Sequence, residues 1–591
     1  MKRVLALVLA VVMLVFSLAS CSSLSGDDKG AVITMYLADE IYDFDPMSGY
    51  TDSATAKLIS LVFEGLTRLD DAGNWEKAMM KSYKVIKPEA EGDNYKIQIT
   101  LRDSKWSDGR TVQANDFVYA WKRILEPTNK CEAASMLFDV KNARDIKMGD
   151  ATVDDLGVYA VETYVLEIEF EKEVDPDEFF RTCASVALVP LREDKVGNDD
   201  TWAKRASTMV TNGPFDVRKI DYGKLLRLER SSYYYRDTES NQALDKYVTP
   251  YRLEIMYSYG DTEKQLDAFN NKDIFYLGEI PLSQRADYEK KAEISDIPVT
   301  YTYFFNTNNK LFEDADVRRA LSMALDREQI AEILTYASPA TGLIPTGVFN
   351  YKNKGDFRTT ADKNGALISS SADVDGAKSL LKSAGVTSGS FTITIRDNEV
   401  DKAVADYVSG VWNDLGFRVK VNAVDAEFVA SNVANQSATY NDTFQQAYNE
   451  GDFDVIAVDY QMLTSGAFQA LASFATEFSG NGVDMDSDDY DAIPHVTGYS
   501  DSDYDELIES AYNESDLAKR AEILHQAEEK LMNDMPVAPL AFMQDAYLIN
   551  SSVLKKVGST YFGRDFRKMK MNDFMKYKES IEALQQDDAE G

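Results

Sequence analysis

Two histidines, three cysteines and 99 acidic side chains are the groups of this 591-residue chain able to move protons, attack a bond or hold a metal. His525 sits in the polar run AKRAEILHQAEEKL, a solvated or half-buried helix position rather than a catalytic one. The sequence has no GxSxG, HExxH, Walker A or GxGxxG, so no nucleophile elbow, zinc helix or phosphate loop is expected. Carboxylates are plentiful, but nothing singles out two of them as the acid and base of a glycosidase. Asp484, Asp486, Asp488, Asp489 and Asp491 begin with the 1-3-5 spacing of a calcium loop. The sixth position is then Asp489 instead of glycine, and the twelfth is His495 instead of glutamate, so a solvated surface loop is expected. Cys131 and Cys183 lie outside any CxxC or zinc spacing, and whether they pair stays open. This chemistry suits a binding protein without metal or cofactor better than it suits an enzyme.

The elements that must position any binding residues are a mixture of strands and helices. Tyr95, Ile97, Ile99 and Leu101 alternate with polar residues, as do Tyr164, Leu166, Ile168 and Phe170, and then Phe391, Ile393 and Ile395. After Asp316, read as an N-cap, Val317, Ala320, Leu321, Ala324 and Leu325 form one helical stripe. Leu517, Leu524 and Leu531 form another, a packing face rather than a coiled coil. The fold class is α/β. At 591 residues the chain is too long for one core, and two or three domains are expected. A formal charge of −36 repels phosphate backbones and argues against nucleic acid as a partner.

The N-terminus carries Lys2 and Arg3, then the apolar run Val4 to Phe16, then Leu18-Ala19-Ser20-Cys21. Thirteen apolar residues give about 20 Å of helix at ~1.5 Å per residue, too short for a bilayer core of ~30 Å. The pattern reads as an export signal over residues 1–20. Its ending resembles a bacterial lipobox, which implies lipidation of Cys21 and anchoring at the outer face of the plasma membrane, periplasmic where a second membrane exists. Residues 21–30 form a small, polar tether.

Residues 101–127, LRDSKWSDGRTVQANDFVYAWKRILEP, place a strand, a Ser-Asp-Gly turn and a helix capped at Asn115 or Asp116 in succession. This stretch closely resembles the signature of extracellular solute-binding protein family 5, the substrate-binding lipoproteins of peptide-importing ABC transporters. LVFEGLTRLDDAG (61–73), DLGVYAVETYVLEIEF (155–170), TNGPF (211–215) and YFFNTNNKLFEDADVRRALSMALDRE (303–328) agree in the same order. So do NDLGFRVKV (413–421), KRAEILHQAEEKLMND (519–534) and PVAPL (536–540), and the likeness spans the mature chain.

The resemblance implies a two-lobed periplasmic-binding-protein clamp, type II of the large peptide-binding class, with an extra subdomain on lobe one and a two-crossing hinge. Lobe one is expected at 31–72, 207–300 and 535–591, its inserted subdomain at 73–206 and lobe two at 301–534, with crossings near Tyr301 and Asp534. A monomer that closes on an oligopeptide and delivers it to a permease with ATPase partners follows from the likeness. In the peptide-binding branch an Asp-Tyr pair after a strand holds the ligand's amine, which corresponds here to Asp459-Tyr460 in FDVIAVDYQ. Gln461-Met462-Leu463 downstream and Ile456 upstream depart from the branch pattern and leave the side-chain pockets open.

Glu40 falls beside the expected ligand path, and Tyr303 and Asn306 lie at the first crossing, where Phe304 is read as packing. Asn212 and Gly213 are read as a turn, and Arg318 and Arg319 as surface ion-pair partners. The same clamp binding a nickel chelate, an opine or a sugar, a peptide-pheromone receptor and an extracellular hydrolase are the alternative readings.

Overall fold

The computed structural model describes residues 30–572 apart from 48–52, 91, 198, 200, 236–245, 433–436 and 488–489. The expected signal segment, Cys21 and the tether up to Lys29 lie outside the described residues. Among the described residues no helix is long and apolar enough to cross a membrane.

An 11-stranded sheet organises the chain. Its two central strands, Glu293–Phe305 and Val537–Ile549, have 13 residues each and run antiparallel to one another. On one side of them lie Val455–Gln461, Gly389–Arg396 and Phe417–Val424; on the other lie Tyr276–Leu277, Val32–Tyr36, Arg252–Met256, Leu225–Arg230 and Phe215–Asp221. The long pair therefore belongs to both halves. Its ladder shifts register between Asp296 and Thr300, around Pro298, and again between Tyr301 and Thr302. Proline has no N–H to give to a ladder, so a break at that point follows from the sequence.

Each half is built by ordinary pattern physics. Gly389–Arg396 runs parallel to Phe417–Val424 and to Val455–Gln461, and the helix Glu399–Asp414 makes the first crossover. Phe391, Ile393 and Ile395 are buried, and so is the whole run Val455 to Val458, the mark of a strand covered on both faces.

A separate four-stranded antiparallel sheet, in the order Met80–Ile86, Tyr95–Leu101, Val165–Phe170 and Val158–Glu162, accompanies the helix Ala114–Leu125. Tyr95, Ile97, Ile99 and Leu101 all point into its core, as the alternation required.

Several local readings need correction. The helix of the signature stretch is capped at Gln113, not at Asn115 or Asp116. Asp116 is the third helical residue and accepts the Gln113 N–H at 2.8 Å and the Trp106 indole N–H at 2.9 Å. Asp314, not Asp316, caps Ala315–Met323 by accepting the Asp316 N–H at 2.8 Å.

Arg318 is buried instead of forming a surface pair. It donates to the Asp534, Met535 and Glu313 carbonyls, tying its helix to the end of the helix Leu517–Asp534. Arg319 does pair at the surface, with Asp316 at 3.1 Å. Asn212 clasps the backbone of Glu64 from both sides, and a Cβ on Gly213 would lie 2.5 Å from the Val62 carbonyl carbon. Cys131 and Cys183 are both buried and form no disulfide. Asp484, Asp486 and Asp491 are exposed, while Asp488 and Asp489 lie outside the described residues.

Candidate functional site

A cavity of about 200 Å³ opens between the two halves of the sheet, against the central pair of strands. One wall comes from Leu37 to Ile41 and Gly278 to Ile280, the segments directly after the parallel strands Val32–Tyr36 and Tyr276–Leu277. The facing wall comes from Arg396 to Asp401, after the strand Gly389–Arg396, and from Ala457 to Asp459 near the end of Val455–Gln461. Ile297 and Val299 line the floor on either side of Pro298. Crevices beyond the carboxyl ends of parallel strands are where open α/β sheets bind ligands, because loops from several strands converge there.

The cavity wall is crowded with charge. Lys57 lies 2.9 Å from Asp545, which Arg564 also meets at 3.1 Å, and Arg396 lies 3.2 Å from Asp442. Arg285 donates to the Ile280 and Leu334 carbonyls and stands 3.9 Å from Glu279. Burial, reinforced by Asp39, holds the Glu279 carboxyl well above the usual range, with Arg285 opposing.

Glu40 accepts the Gly223 N–H at 2.9 Å on one oxygen and 3.1 Å on the other. Burial still pushes it up to about 7, helped by Asp425 and Asp221. Asp401 accepts the Tyr301 hydroxyl at 2.9 Å and the Arg396 N–H at 3.1 Å, and burial raises it to about 6.

The residues singled out from sequence separate into two groups. Asp459 and Glu40 both line the cavity, from opposite walls. Tyr460 does not, because successive side chains of a strand point to opposite faces. Its hydroxyl donates to the Ala470 carbonyl at 2.9 Å and meets Ser473 Oγ at 3.0 Å within the core.

Tyr303 is fully buried beside Trp412, at 6.1 Å between ring centroids. Asn306 donates to the Gly451 and Phe453 carbonyls, fixing the turn before Val455, and it too lies outside the cavity. His525 stacks on Phe357 at 4.0 Å and bonds Asn350, remote from the site. Glu279, Asp401, Arg396 and Lys57 were not expected from sequence. The one signal that reaches Glu279 and Asp401 is their place just after strands of a parallel sheet.

Glu399 and Tyr440 each reach across the cleft. Glu399 Oε1 accepts the Thr262 hydroxyl at 2.8 Å and the Leu282 N–H at 2.9 Å, both from across the cleft. Tyr440 packs against Tyr222 at 4.9 Å and Tyr42 at 5.6 Å, closing an aromatic trio of which Tyr42 and Tyr222 belong to the opposite side.

The profile of the bacterial extracellular solute-binding proteins, family 5 (middle), matches residues 75–482. The dipeptide-binding protein DppE of Bacillus subtilis strain 168 is 28% identical over 87% of each chain. The oligopeptide-binding protein OppA of the same strain is 25% identical over 91% of this chain and 93% of its own. The substrate-binding domain of an oligopeptide ABC transporter from Bacillus anthracis strain Ames superposes with a TM-score of 0.75 at 23% identity, covering 92% of this chain and 99% of that one. The architecture is the type II clamp of periplasmic binding proteins, with its two lobes meeting at the long central strands.

Proposed function

The chain belongs to the bacterial extracellular solute-binding proteins of family 5, and from that premise we propose that it captures oligopeptides between its lobes and delivers them to the permease of an ABC importer. Members of the family bind and release; they are not enzymes. The observation that carries the reading is the cavity whose opposing walls end in carboxyls, Asp459 on one lobe and Glu40 on the other. A peptide of unspecified sequence is held by what all peptides share, an α-amine and a backbone. Asp459 takes the α-amine in a charge-assisted bond, and Glu40 lies along the ligand on the other lobe. Tyr460, Tyr303 and Asn306 support the walls from behind and touch no ligand.

A ligand that contacts both walls only when they meet stabilises the closed clamp, and the joint is the central pair of strands. Lobe one is assigned to residues 31–72, 207–300 and 535–591, its subdomain to 73–206 and lobe two to 301–534. Lipidation at Cys21 anchors the protein outside the membrane, and the tether keeps its effective concentration at the permease high.

Calorimetry of a free-amine tripeptide and its N-acetyl twin tests the reading. The free amine should bind and the acetylated peptide should not. Asp459→Ala should weaken the free-amine peptide by about 2–5 kcal/mol, the cost of leaving one member of a buried charge pair alone. Equal binding of both peptides, or an unchanged affinity in the variant, would refute the assignment.

A further inference from the structure

Asp459 sits at a strand end that the main sheet holds along one flank. Val455–Gln461 pairs with Glu293–Phe305 as far as Gln461, but Gly389–Arg396 meets its other flank at Val455 and Ile456 alone. From Ala457 onward no described strand pairs with that second flank, and Ala457 to Asp459 line the cavity. The ladder by itself therefore leaves the anchor room to move.

The next residue holds the strand end from behind. The Tyr460 hydroxyl engages the Ala470 carbonyl and Ser473 Oγ, which belong to the short helix Phe468–Ala472 and its C-cap. That helix is fixed from two sides. Within lobe two, Tyr504 donates to the Leu471 carbonyl at 2.6 Å. From the inserted subdomain, Ser135 donates its hydroxyl to Gln469 Oε1 at 2.9 Å, and Gln469 Nε2 donates to the Glu132 carbonyl at 2.5 Å. Gln469, Ser135 and Glu132 are all buried, so these bonds are costly to leave unmade once the surfaces have met.

We propose that Gln469 is a positioning residue for the amine anchor: as the clamp closes, the subdomain takes both ends of its amide, fixes the Phe468–Ala472 helix and, through Tyr460, sets Asp459 to receive the ligand's α-amine. In the open clamp the two bonds are absent, and Asp459 hangs from one ladder and a helix held within lobe two alone. A charge-assisted bond depends on distance and angle, so freedom at the strand end weakens the grip. The proposal rests on the reading of Asp459 as the amine's partner and adds that gripping the amine and docking the subdomain are one event.

Double-mutant cycles read by calorimetry test it, with trialanine as the probe and the full exported chain purified ligand-free at pH 7.5. Gln469→Met keeps the length of the side chain and removes both bonds; Ser135→Ala removes one of them from the subdomain side. Each is measured alone and with Asp459→Asn, and each is accepted on an unchanged circular dichroism spectrum. Gln469→Met should weaken binding about tenfold in the parent and no more than about threefold in the Asp459→Asn background, where only the loss of closing bonds is left to feel. Ser135→Ala should show the same pattern with smaller factors. Arg144 pairs with Glu477 and Glu509 at the same joint and carries no hydrogen bond to the helix, so Arg144→Ala should cost one and the same factor in both backgrounds. Equal factors for Gln469→Met in the two backgrounds, or a coupling at Arg144 as large as at Gln469, overturns the positioning role and leaves amine capture standing. An Asp459→Asn protein that binds trialanine as tightly as the parent overturns the amine anchor itself, and the positioning role with it.

Discussion

Removing the Glu399 carboxylate should make the clamp release its ligand faster without touching the ligand. Glu399 opens the helix Glu399–Asp414 on one lobe, and both of its partners, Thr262 and Leu282, belong to the other. The two bonds exist only while the lobes are together. Hydrogen bonds to a charged acceptor contribute about 1.5–3 kcal/mol each. Both are partly open to solvent, so the pair together is assigned about 2 kcal/mol, below the simple sum. At about 1.4 kcal/mol per tenfold, that is a ~30-fold change in the ratio of closed to open clamp.

Peptide dissociation requires opening, so Glu399→Ala should raise the dissociation rate by roughly that ~30-fold, while association changes little. Stopped-flow chase of a fluorescent peptide measures it directly. Glu399→Gln keeps an oxygen acceptor in place and should fall between the two. Small-angle scattering of the ligand-free Ala variant should show a larger radius of gyration. A dissociation rate within twofold of the parent, with an unchanged scattering profile, would refute the assignment of these bonds to closure.

Two further outcomes follow from groups away from the amine anchor or from their protons. Arg358 and Glu528 form a forked pair at 2.8 and 3.0 Å, 2% and 0% exposed, and Glu528 also accepts the Leu343 and Ile344 N–H groups. Glu528→Gln should cost about 3 kcal/mol in urea unfolding, the low end for breaking a buried pair, because Asp362 at 3.1 Å from Arg358 Nε still faces the guanidinium; a loss below about 1 kcal/mol, the size of a surface pair, would contradict that burial. Glu40 is raised from an ordinary carboxyl value to about 7 in the folded protein, so between those limits the folded state holds the extra proton. Its contribution to stability therefore falls as pH rises through that window, and Glu40→Gln should lose less stability than the parent between pH 5 and pH 8 in matched denaturation curves. Identical losses in the two proteins would show that Glu40 ionises freely.

Periodic segments made the fold readable, and the same periodicity explains where the site was not. Phe391, Ile393 and Ile395 alternate, and they form a strand with those residues inside. The helix starts slipped by two or three residues because Gln113 competes with Asn115 and Asp116 at one cap and Asp314 with Asp316 at the other, and only the local backbone decides between them. Arg318 looked like a surface cation because nothing in its neighbourhood announces that the Asp534 and Met535 carbonyls join those of Phe312 and Glu313 around it.

In the cavity, Asp459 and Tyr460 are chain neighbours, and a strand cannot send both to one face. Glu279 reaches the wall from a segment with no motif of its own, and its relevance depends on a parallel pairing to Val32–Tyr36 across more than two hundred residues of sequence.

The strand Val537–Ile549 has a consequence for how the chain is made. It lies between Glu293–Phe305 and Tyr276–Leu277, so among the described residues it covers one edge of the first and bridges it to the second on the path of the main sheet. Until residue 549 has left the ribosome, the two halves of that sheet are separate edges with no common neighbour. Contacts of such long sequence separation form late, because the intervening loop must be closed first. The growing chain thus stays incomplete through nearly all of its synthesis, and the strand that joins the lobes is also the one that ends the wait.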